Sequence, residues 1–383
     1  MKKLIRVCQL NKCLDQNVRF QGLRSQIKRS LLFVNEHLSS KRNEENGHVG
    51  QTLIIFFVLL VMLSCKERII KPNIEHIRVS MPVIRFEKDI FEANFDKIAD
   101  SIPHFKLKYG DFFNMFNYKI LRIGNPDDPS YPENLKNFIT DHHANKIYKS
   151  VQETFPDLKD LTSHLETAFK YYKYYFPDMT IPHIYTFISL FNQSVVTGDT
   201  ILAIGLDKYL GKNCGYYSKV GFPAYMRYKM TKQKILSDCI EGWCITQFEF
   251  DDKKADDNLL NNILYHGKIM YVTKKLLPDE PDSLIFGFSK LKMKFCQKNE
   301  EKMWTFLIEQ KLLFNTEYST INKFTGEGPF TKDFSTQSPA KAANWIGYRI
   351  ITSYMNKNLN ITLKQLMSNN DYQQILKQSR YNP

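Results

Sequence analysis

The stretch HIYTFISLFNQSVVTGDTILAIGLDKYLG, residues 183–211, carries the clearest β signal in the chain. Two runs rich in Ile, Phe, Tyr and Val flank Thr197-Gly198-Asp199. β-Branched and aromatic residues favour strands, and Gly and Asp favour tight turns. The stretch therefore predicts a hairpin or two adjacent strands. A further strand is predicted near residues 79–86, where Pro82 indicates the edge of a sheet.

Helical patterns dominate on both sides of this β stretch. Residues 88–120 and 133–175 are predicted to be mainly helical, and Pro177 ends the second segment. Apolar residues recur there at helical spacing. They are Leu161, Leu165, Ala168, Phe169 and Tyr172. With no internal repeat and no linker rich in Gly, Ser or Pro, the sequence predicts an α+β fold, a predominantly helical single domain with a small β-sheet, over residues 79–383.

Helix boundaries in the C-terminal half are predicted from capping residues. Asp257 and Asn299 each precede an apolar helical pattern, and Ser338 precedes Pro339, a residue favoured in the first turn. Gly347 lies in the middle of the last long helical pattern. Glycine in a helix interior costs stability, so Gly347 predicts a close contact with another element.

The stretch LIIFFVLLVMLSCKER, residues 53–68, is apolar from Leu53 to Leu63 and then turns to Ser64, Cys65 and charge. The run is too short to cross a bilayer, which needs about 20 apolar residues. It is typical of a lipoprotein signal, with residues 52–64 as the hydrophobic region, Cys65 as the lipid attachment site and residues 65–78 as a tether. The alternative is a buried helix that ends by chance at Cys65.

Residues 1–51 fit no ordinary signal, since the first basic residues lie far upstream of the apolar run. Either the charged region of the signal is unusually long, or translation begins nearer Val49; the second interpretation is favoured. Residues 1–64 contain 10 Lys or Arg and 4 Asp or Glu, so they carry about half of the net charge of +13. The positive charge that remains on residues 65–383 suits an anionic membrane surface. The sequence contains no basic patch interleaved with aromatic residues that would predict nucleic-acid binding.

Metal and thiol chemistry have weak support. Cys214, Cys239, Cys244 and Cys296 form no CxxC pair and are predicted to be free thiols, although export permits disulfides. The histidines after residue 65 include no i, i+4 pair. Their only local cluster, Asp141-His142-His143, is typical of a solvated helix end. No catalytic residue, metal site, cofactor or small-molecule substrate is predicted.

Several short segments together carry a family resemblance. They are IGLDKYLG (204–211), YHGKIMYVTKKLLPDEPDSL (265–284), NEEKMW (299–304), GPF (328–330), SPAKAANWIGYRIITSYM (338–355) and SRYNP (379–383). With the signal at Cys65, their order and spacing resemble the gliding motility lipoprotein GldB family of Bacteroidetes. The resemblance implies a cell-envelope lipoprotein on the periplasmic side or in the outer membrane. It also implies partners in the gliding and type IX secretion machinery.

A more remote resemblance is to zincin-like proteases, in which two histidines on one helix hold zinc. The corresponding helix here, residues 234–248, contains Asp238 and Glu241 but no histidine, and His266 stands where a glutamate is expected. The resemblance therefore implies a zincin-like scaffold without its catalytic motif, hence a non-enzymatic binding or assembly protein. The alternative is an envelope metallopeptidase or other hydrolase with an atypical site.

Partner binding is assigned to aromatic residues around Gly347. Trp345, Tyr348 and Tyr354 lie on one predicted helix, and aromatic anchors dominate many protein interfaces. The alternative is that they complete the core, in which case no ring is available to a partner.

Overall fold

The computed structural model describes residues 71–250 and 257–383, and the residues from Lys71 onward form one compact unit. Cys65, the predicted signal and the extension before it lie outside the described residues. Ile74, in the predicted tether, packs against the core, and Lys71 forms an ion pair with Asp279. Within residues 71–250 and 257–383, no helix is long and apolar enough to span a membrane.

Four strands form one mixed sheet: β1 (Val83–Arg85), β2 (His183–Phe187), β3 (Val195–Thr197) and β4 (Ile201–Gly205). Their order is β1-β2-β4-β3, with β1, β2 and β4 parallel and β3 antiparallel to β4. The predicted hairpin is confirmed between β3 and β4, where the Gly198 N–H donates to the Ile201 carbonyl at 2.9 Å. The strand predicted near 79–86 is confirmed as an edge strand, but it is only three residues long.

The two faces of the sheet support two separate layers of apolar side chains. Ile184 and Leu202 face the larger, C-terminal cluster, whereas Tyr185 and Ala203 face an aromatic cluster built from residues 86–144. Because side chains alternate between the faces of a strand, neighbouring residues enter different cores. Both faces are covered, which explains why β4 is buried over its whole length.

The two segments predicted to be mainly helical, 88–120 and 133–175, are confirmed, and each contains several helices. Gly110, at φ +49°, breaks the first segment, and Asp141 caps a new helix in the second by accepting from the Ala144 N–H at 2.8 Å. The helices are α1 (Phe86–Phe91), α2 (Ile98–Tyr109), α3 (Asp111–Met115), α4 (Tyr131–Thr140), α5 (His142–Thr154) and α6 (Lys159–Tyr175). The predicted apolar stripe of α6 is confirmed at the core.

The helices that follow β4 contribute most of the larger apolar cluster. The helices are α7 (Gly215–Lys219), α8 (Ala224–Arg227), α9 (Ile235–Gln247), α10 (Leu259–Leu276), α11 (Asp282–Ile285), α12 (Lys290–Lys298), α13 (Glu300–Glu309), α14 (Tyr318–Thr325), α15 (Ala342–Lys357), α16 (Leu363–Ser368) and α17 (Tyr372–Ser379). Gly267 of α10 lies directly against Gly347 of α15. The close contact predicted for Gly347 is therefore confirmed.

Two predicted helix starts are wrong. Helix α15 begins at Ala342 instead of Pro339, because the Ser338 hydroxyl is used by the Thr331 N–H at 3.0 Å, outside the helix. Helix α10 is capped by Asn258, whose side chain accepts from the Asn261 N–H, and not by Asp257. The prediction of a helical α+β domain with a small sheet is confirmed. Cys214, Cys239, Cys244 and Cys296 are free thiols, as predicted.

Candidate functional site

Charged residues follow the carboxyl ends of the parallel strands β1 and β4, and ligands usually bind at the carboxyl ends of parallel strands. Glu87 follows β1 and is fully buried; it accepts from the Arg85 Nε at 2.7 Å and from the Thr186 hydroxyl at 2.5 Å. Arg85 also donates to the Phe155 carbonyl at 2.7 Å. These contacts occupy the carboxylate of Glu87 and the guanidinium of Arg85 at the carboxyl end of β1, so Glu87 has a structural role.

Asp207, just after β4, holds an unusual turn after β2. Its Oδ2 accepts from the backbone N–H groups of Ser189 at 3.1 Å and Phe191 at 2.6 Å. Phe191 and its preceding neighbour Leu190 both have a left-handed backbone conformation, with φ of +68° and +55°. Such backbone is costly for residues with side chains and needs external support. The Asp207 carboxylate therefore acts as a clamp on this turn.

The Asp207 carboxyl is itself poorly solvated. It is fully buried, and its Oδ1 has no hydrogen-bond partner among the described residues. Burial raises the pKa of Asp207 to about 6, although the N–H groups of Phe191 and Ser189 oppose this rise.

Tyr217 connects this clamp to the segment that follows β4. Its hydroxyl donates to the Asp207 carbonyl at 2.7 Å and accepts from the Leu210 N–H at 2.8 Å. Gly211, at φ +108°, then turns the chain and donates to the Met230 carbonyl at 3.0 Å. Residues 210–214 thereby form one fixed wall of an open pocket.

This pocket is the central section of a longer groove. Its volume is about 790 Å³. On one side it adjoins a pocket of about 490 Å³, the acid end, and on the other a pocket of about 300 Å³, the loop end. The residues shared between neighbouring pockets are Lys232, Gln233 and Leu284 on the acid side, and Tyr228, Lys229 and Gly287 on the loop side. Shared lining residues place the three pockets next to one another, and together they are called the groove.

The central section carries unneutralised positive charge. Lys212 and Lys232 are exposed, and neither forms an ion pair within the part of the chain that the structure describes. Lys234, behind them, is 5 % exposed and contacts Asp238 at 2.7 Å and Glu241 at 4.0 Å. Although burial disfavours its charge, the two carboxylates raise the pKa of Lys234 above its usual value. Lys234 is therefore neutralised. Lys212 and Lys232 have no carboxylate partner within the described residues, and the Lys232 ammonium lies over the Phe155 ring, 5.0 Å from its centre.

The acid end carries the opposite charge. Asp157 and Asp160 lie at the start of α6, and Glu280 lies in the loop after α10; all three line the acid end together with His164. No ion pair joins any of these three carboxylates to a Lys or Arg in residues 71–250 or 257–383. Glu280 is half-buried, and this burial raises its pKa.

The loop end is shaped by one carboxylate between two lysines. Glu327 contacts Lys229 at 2.8 Å and Lys341 at 2.6 Å. Burial opposes ionisation, but the ammonium groups of Lys341 and Lys229 outweigh it and lower the pKa of Glu327 to about 2. Lys292 donates to the carbonyl of Pro329. These contacts fix the loop of residues 326–330 against α12 and against the segment that follows α8.

The aromatic residues predicted to bind partners lie away from this groove. Trp345 and Tyr354 are 3 % and 2 % exposed, and Trp345 packs edge to face on Phe286 with ring centres 5.1 Å apart. Tyr348, also against Phe286, keeps partial exposure. Trp345 and Tyr354 therefore lie in the core of this structure, and partner binding through them stays a prediction. Partner binding near Tyr348 stays a prediction.

The residues considered for metal or protease chemistry are also placed by the structure. Asp238 accepts from the Tyr209 hydroxyl at 2.8 Å in addition to its ion pair with Lys234. His266 is partly buried, and burial lowers its pKa to about 4. The residues that the structure describes contain no group of three or more His, Cys, Asp or Glu arranged to hold a metal ion.

The groove was not predicted from the sequence, because its lysines and carboxylates come from separate segments of the chain. Four of the segments noted for their resemblance do reach it: residues 209–211 and 283–284 line the central section, Glu280 and Pro281 line the acid end, and Gly328 and residues 339–341 line the loop end. The final segment is structural instead, since the Tyr381 hydroxyl and Arg349 both donate to Glu300 at 2.8 Å.

Comparison with curated proteins and with solved structures gives no match. The remote resemblance to zincin-like proteases therefore stays a prediction. A family model described as gliding motility protein GldB matches residues 67–383, most of the chain and nearly all of the part that the structure describes. The chain therefore belongs to the GldB family of gliding motility proteins.

Proposed function

We propose that this protein is a cell-envelope lipoprotein that serves gliding motility as a non-enzymatic binding or assembly component of the gliding and type IX secretion machinery. Its membership of the GldB family supports a role in gliding. Lipid attached at Cys65 would hold the domain at a membrane surface, on the periplasmic side or in the outer membrane. Other envelope proteins of the machinery are its proposed partners.

The groove is the observation that carries this proposal. The groove is open in all three sections. Lys212 and Lys232 in its central section have no ion-pair partner among the described residues, and neither have Asp157, Asp160 and Glu280 at the acid end. A binding protein needs such an accessible, chemically distinctive surface. The carboxylates on the protease-like helix, Asp238 and Glu241, instead contact the buried Lys234. This arrangement supports binding in preference to hydrolysis.

Crosslinking in gliding cells tests the proposal. A photoreactive amino acid replaces Gln233, which is exposed at the junction of the central section and the acid end. The matched control carries it at Leu107, which is 87 % exposed on α2 and lines none of the three sections. We expect position 233, and not position 107, to crosslink to an envelope protein whose deletion also stops gliding. Identical crosslinks from both positions, or none from either, would refute it.

A further inference from the structure

We propose that the groove binds an extended peptide segment of its protein partner, with acidic residues of the segment on Lys212 and Lys232 and basic residues at the acid end. This inference rests on the proposed function, since it specifies the partner of the same groove. It assigns both the chemistry of the segment and the order of its charges.

The first support is charge that the domain itself leaves uncompensated. Within the described residues, Lys212 in the central section has no ion-pair partner, and neither has Lys232, which lines both the central section and the acid end and lies over the Phe155 ring at 5.0 Å. Asp157 and Asp160 at the acid end form no ion pair with Lys or Arg, and Asp157 accepts a hydrogen bond from the Lys159 N–H at 3.1 Å. At the loop end, Lys229 and Lys341 are paired with Glu327, and Lys292 donates to the Pro329 carbonyl. Complementary charges on a partner mainly determine specificity and register, so two fields of opposite sign select a segment with ordered charges.

The second support is the lining between the charged regions. Leu284 forms part of the wall shared by the central section and the acid end, and Leu161 and Leu236 line the acid end. Thr231 and Ser283, which carry hydroxyl groups, also line the central section. Apolar walls with a few hydroxyl groups suit a peptide, whose side chains alternate with a polar backbone.

The carboxylates also discriminate against other anionic ligands. A nucleic acid or an anionic lipid headgroup would match Lys212 and Lys232, but it would gain nothing from Asp157, Asp160 and Glu280 and would be repelled by them. A polypeptide can carry both signs of charge within a short length. The geometry therefore favours a protein segment over a membrane surface as the occupant.

Peptide selection tests the charge order directly. Full-length protein in detergent micelles is immobilised and used to select from a displayed library of random linear peptides of about 12 residues, which span about 40 Å when extended. We expect enrichment of peptides in which a cluster of Asp or Glu is separated from a cluster of Lys or Arg. Enriched peptides with no such pattern would overturn the inference.

Charge-reversed variants then locate the binding. Binding of one enriched peptide is measured by fluorescence anisotropy on Lys212→Glu/Lys232→Glu and on Asp157→Lys/Asp160→Lys. Each pair should weaken binding by about tenfold or more, and a peptide with its charges exchanged should recover binding to the matching variant. The control Lys298→Glu/Lys302→Glu changes the same charge at exposed positions on other surfaces and should stay within about twofold. Equal effects of the control and of the groove variants would overturn the inference.

Two further outcomes separate this inference from the proposed function. If position 233 crosslinks to a gliding protein but the selected peptides show no charge order, the charge assignment fails and the binding role survives. If anionic phosphatidylglycerol vesicles bind the wild-type protein and lose binding to Lys212→Glu/Lys232→Glu, while no peptide is selected, the lysines serve a lipid surface and the inference is wrong.

Discussion

Gly267 of α10 and Gly347 of α15 face each other at a helix crossing that leaves no space for a side chain. A Cβ atom placed on Gly347 would lie 1.7 Å from the Ile263 carbonyl oxygen, and one on Gly267 would lie 2.4 Å from the Gly347 carbonyl carbon. Both neighbours are backbone atoms of buried helices, so they cannot move aside as a flexible side chain would. The two glycines therefore fix how closely the central helices approach.

Gly347→Ala should lower the free energy of unfolding by about 3 kcal/mol or more, because overpacking forces two buried helices apart. Thermal or urea denaturation of the purified protein measures the change. Gly242→Ala is the matched control, since its Cβ would approach no atom nearer than 3.4 Å and alanine is the better helix former by about 1 kcal/mol. Equal stability of Gly347→Ala and wild type would contradict this account of the crossing.

Asp207 should make stability depend on pH between its unfolded pKa of 3.8 and its folded pKa of about 6. Because the folded pKa is raised, the folded state binds the proton more tightly, and stability falls as the pH rises through this window. The fall attributable to Asp207 is on the order of 3 kcal/mol.

The Asp207→Asn variant removes the titrating group and keeps a side-chain oxygen for the Ser189 and Phe191 N–H groups. Urea denaturation of both proteins from pH 4 to pH 7 should show a smaller fall in stability for this variant. Parallel pH profiles of the two proteins would show that Asp207 is not the group responsible.

The fold class was predictable, since strand composition, helical periodicity and the turn at Gly198 are local signals. The close contact at Gly347 was predictable too. A glycine in a helix interior lowers helix stability, so its presence there indicates that packing leaves no space for a side chain. The start of α15 was not: Ser338 is a favourable cap by type, but Thr331, seven residues earlier, bonds its hydroxyl. The groove was not predictable either, because Lys212, Lys232 and Asp157 come together only in the tertiary structure.

Trp345→Ala should destabilise the protein by about 3 to 5 kcal/mol, as expected when a large buried side chain is removed. Trp345 is 3 % exposed and packs on Phe286 and Tyr348. Denaturation of the purified variant tests this value, and protein levels in cells should fall with it. A folded Trp345→Ala variant of wild-type stability that no longer supports gliding would instead indicate a direct interaction at this position.

Cys65→Ala should abolish fatty-acid labelling and release the protein from the membrane fraction. A lipoprotein anchor combines several acyl chains, whereas a single chain gives only marginal, reversible membrane binding. Metabolic labelling with a palmitate analogue, followed by fractionation, measures both effects. The control Cys214→Ser alters a half-buried free thiol within the domain and should retain both the label and the membrane location. Label that persists in Cys65→Ala would rule out Cys65 as the attachment site. If the released protein keeps its Tm and still binds the selected peptides, any loss of gliding follows from its location, and the anchor serves to hold the groove where its partner lies.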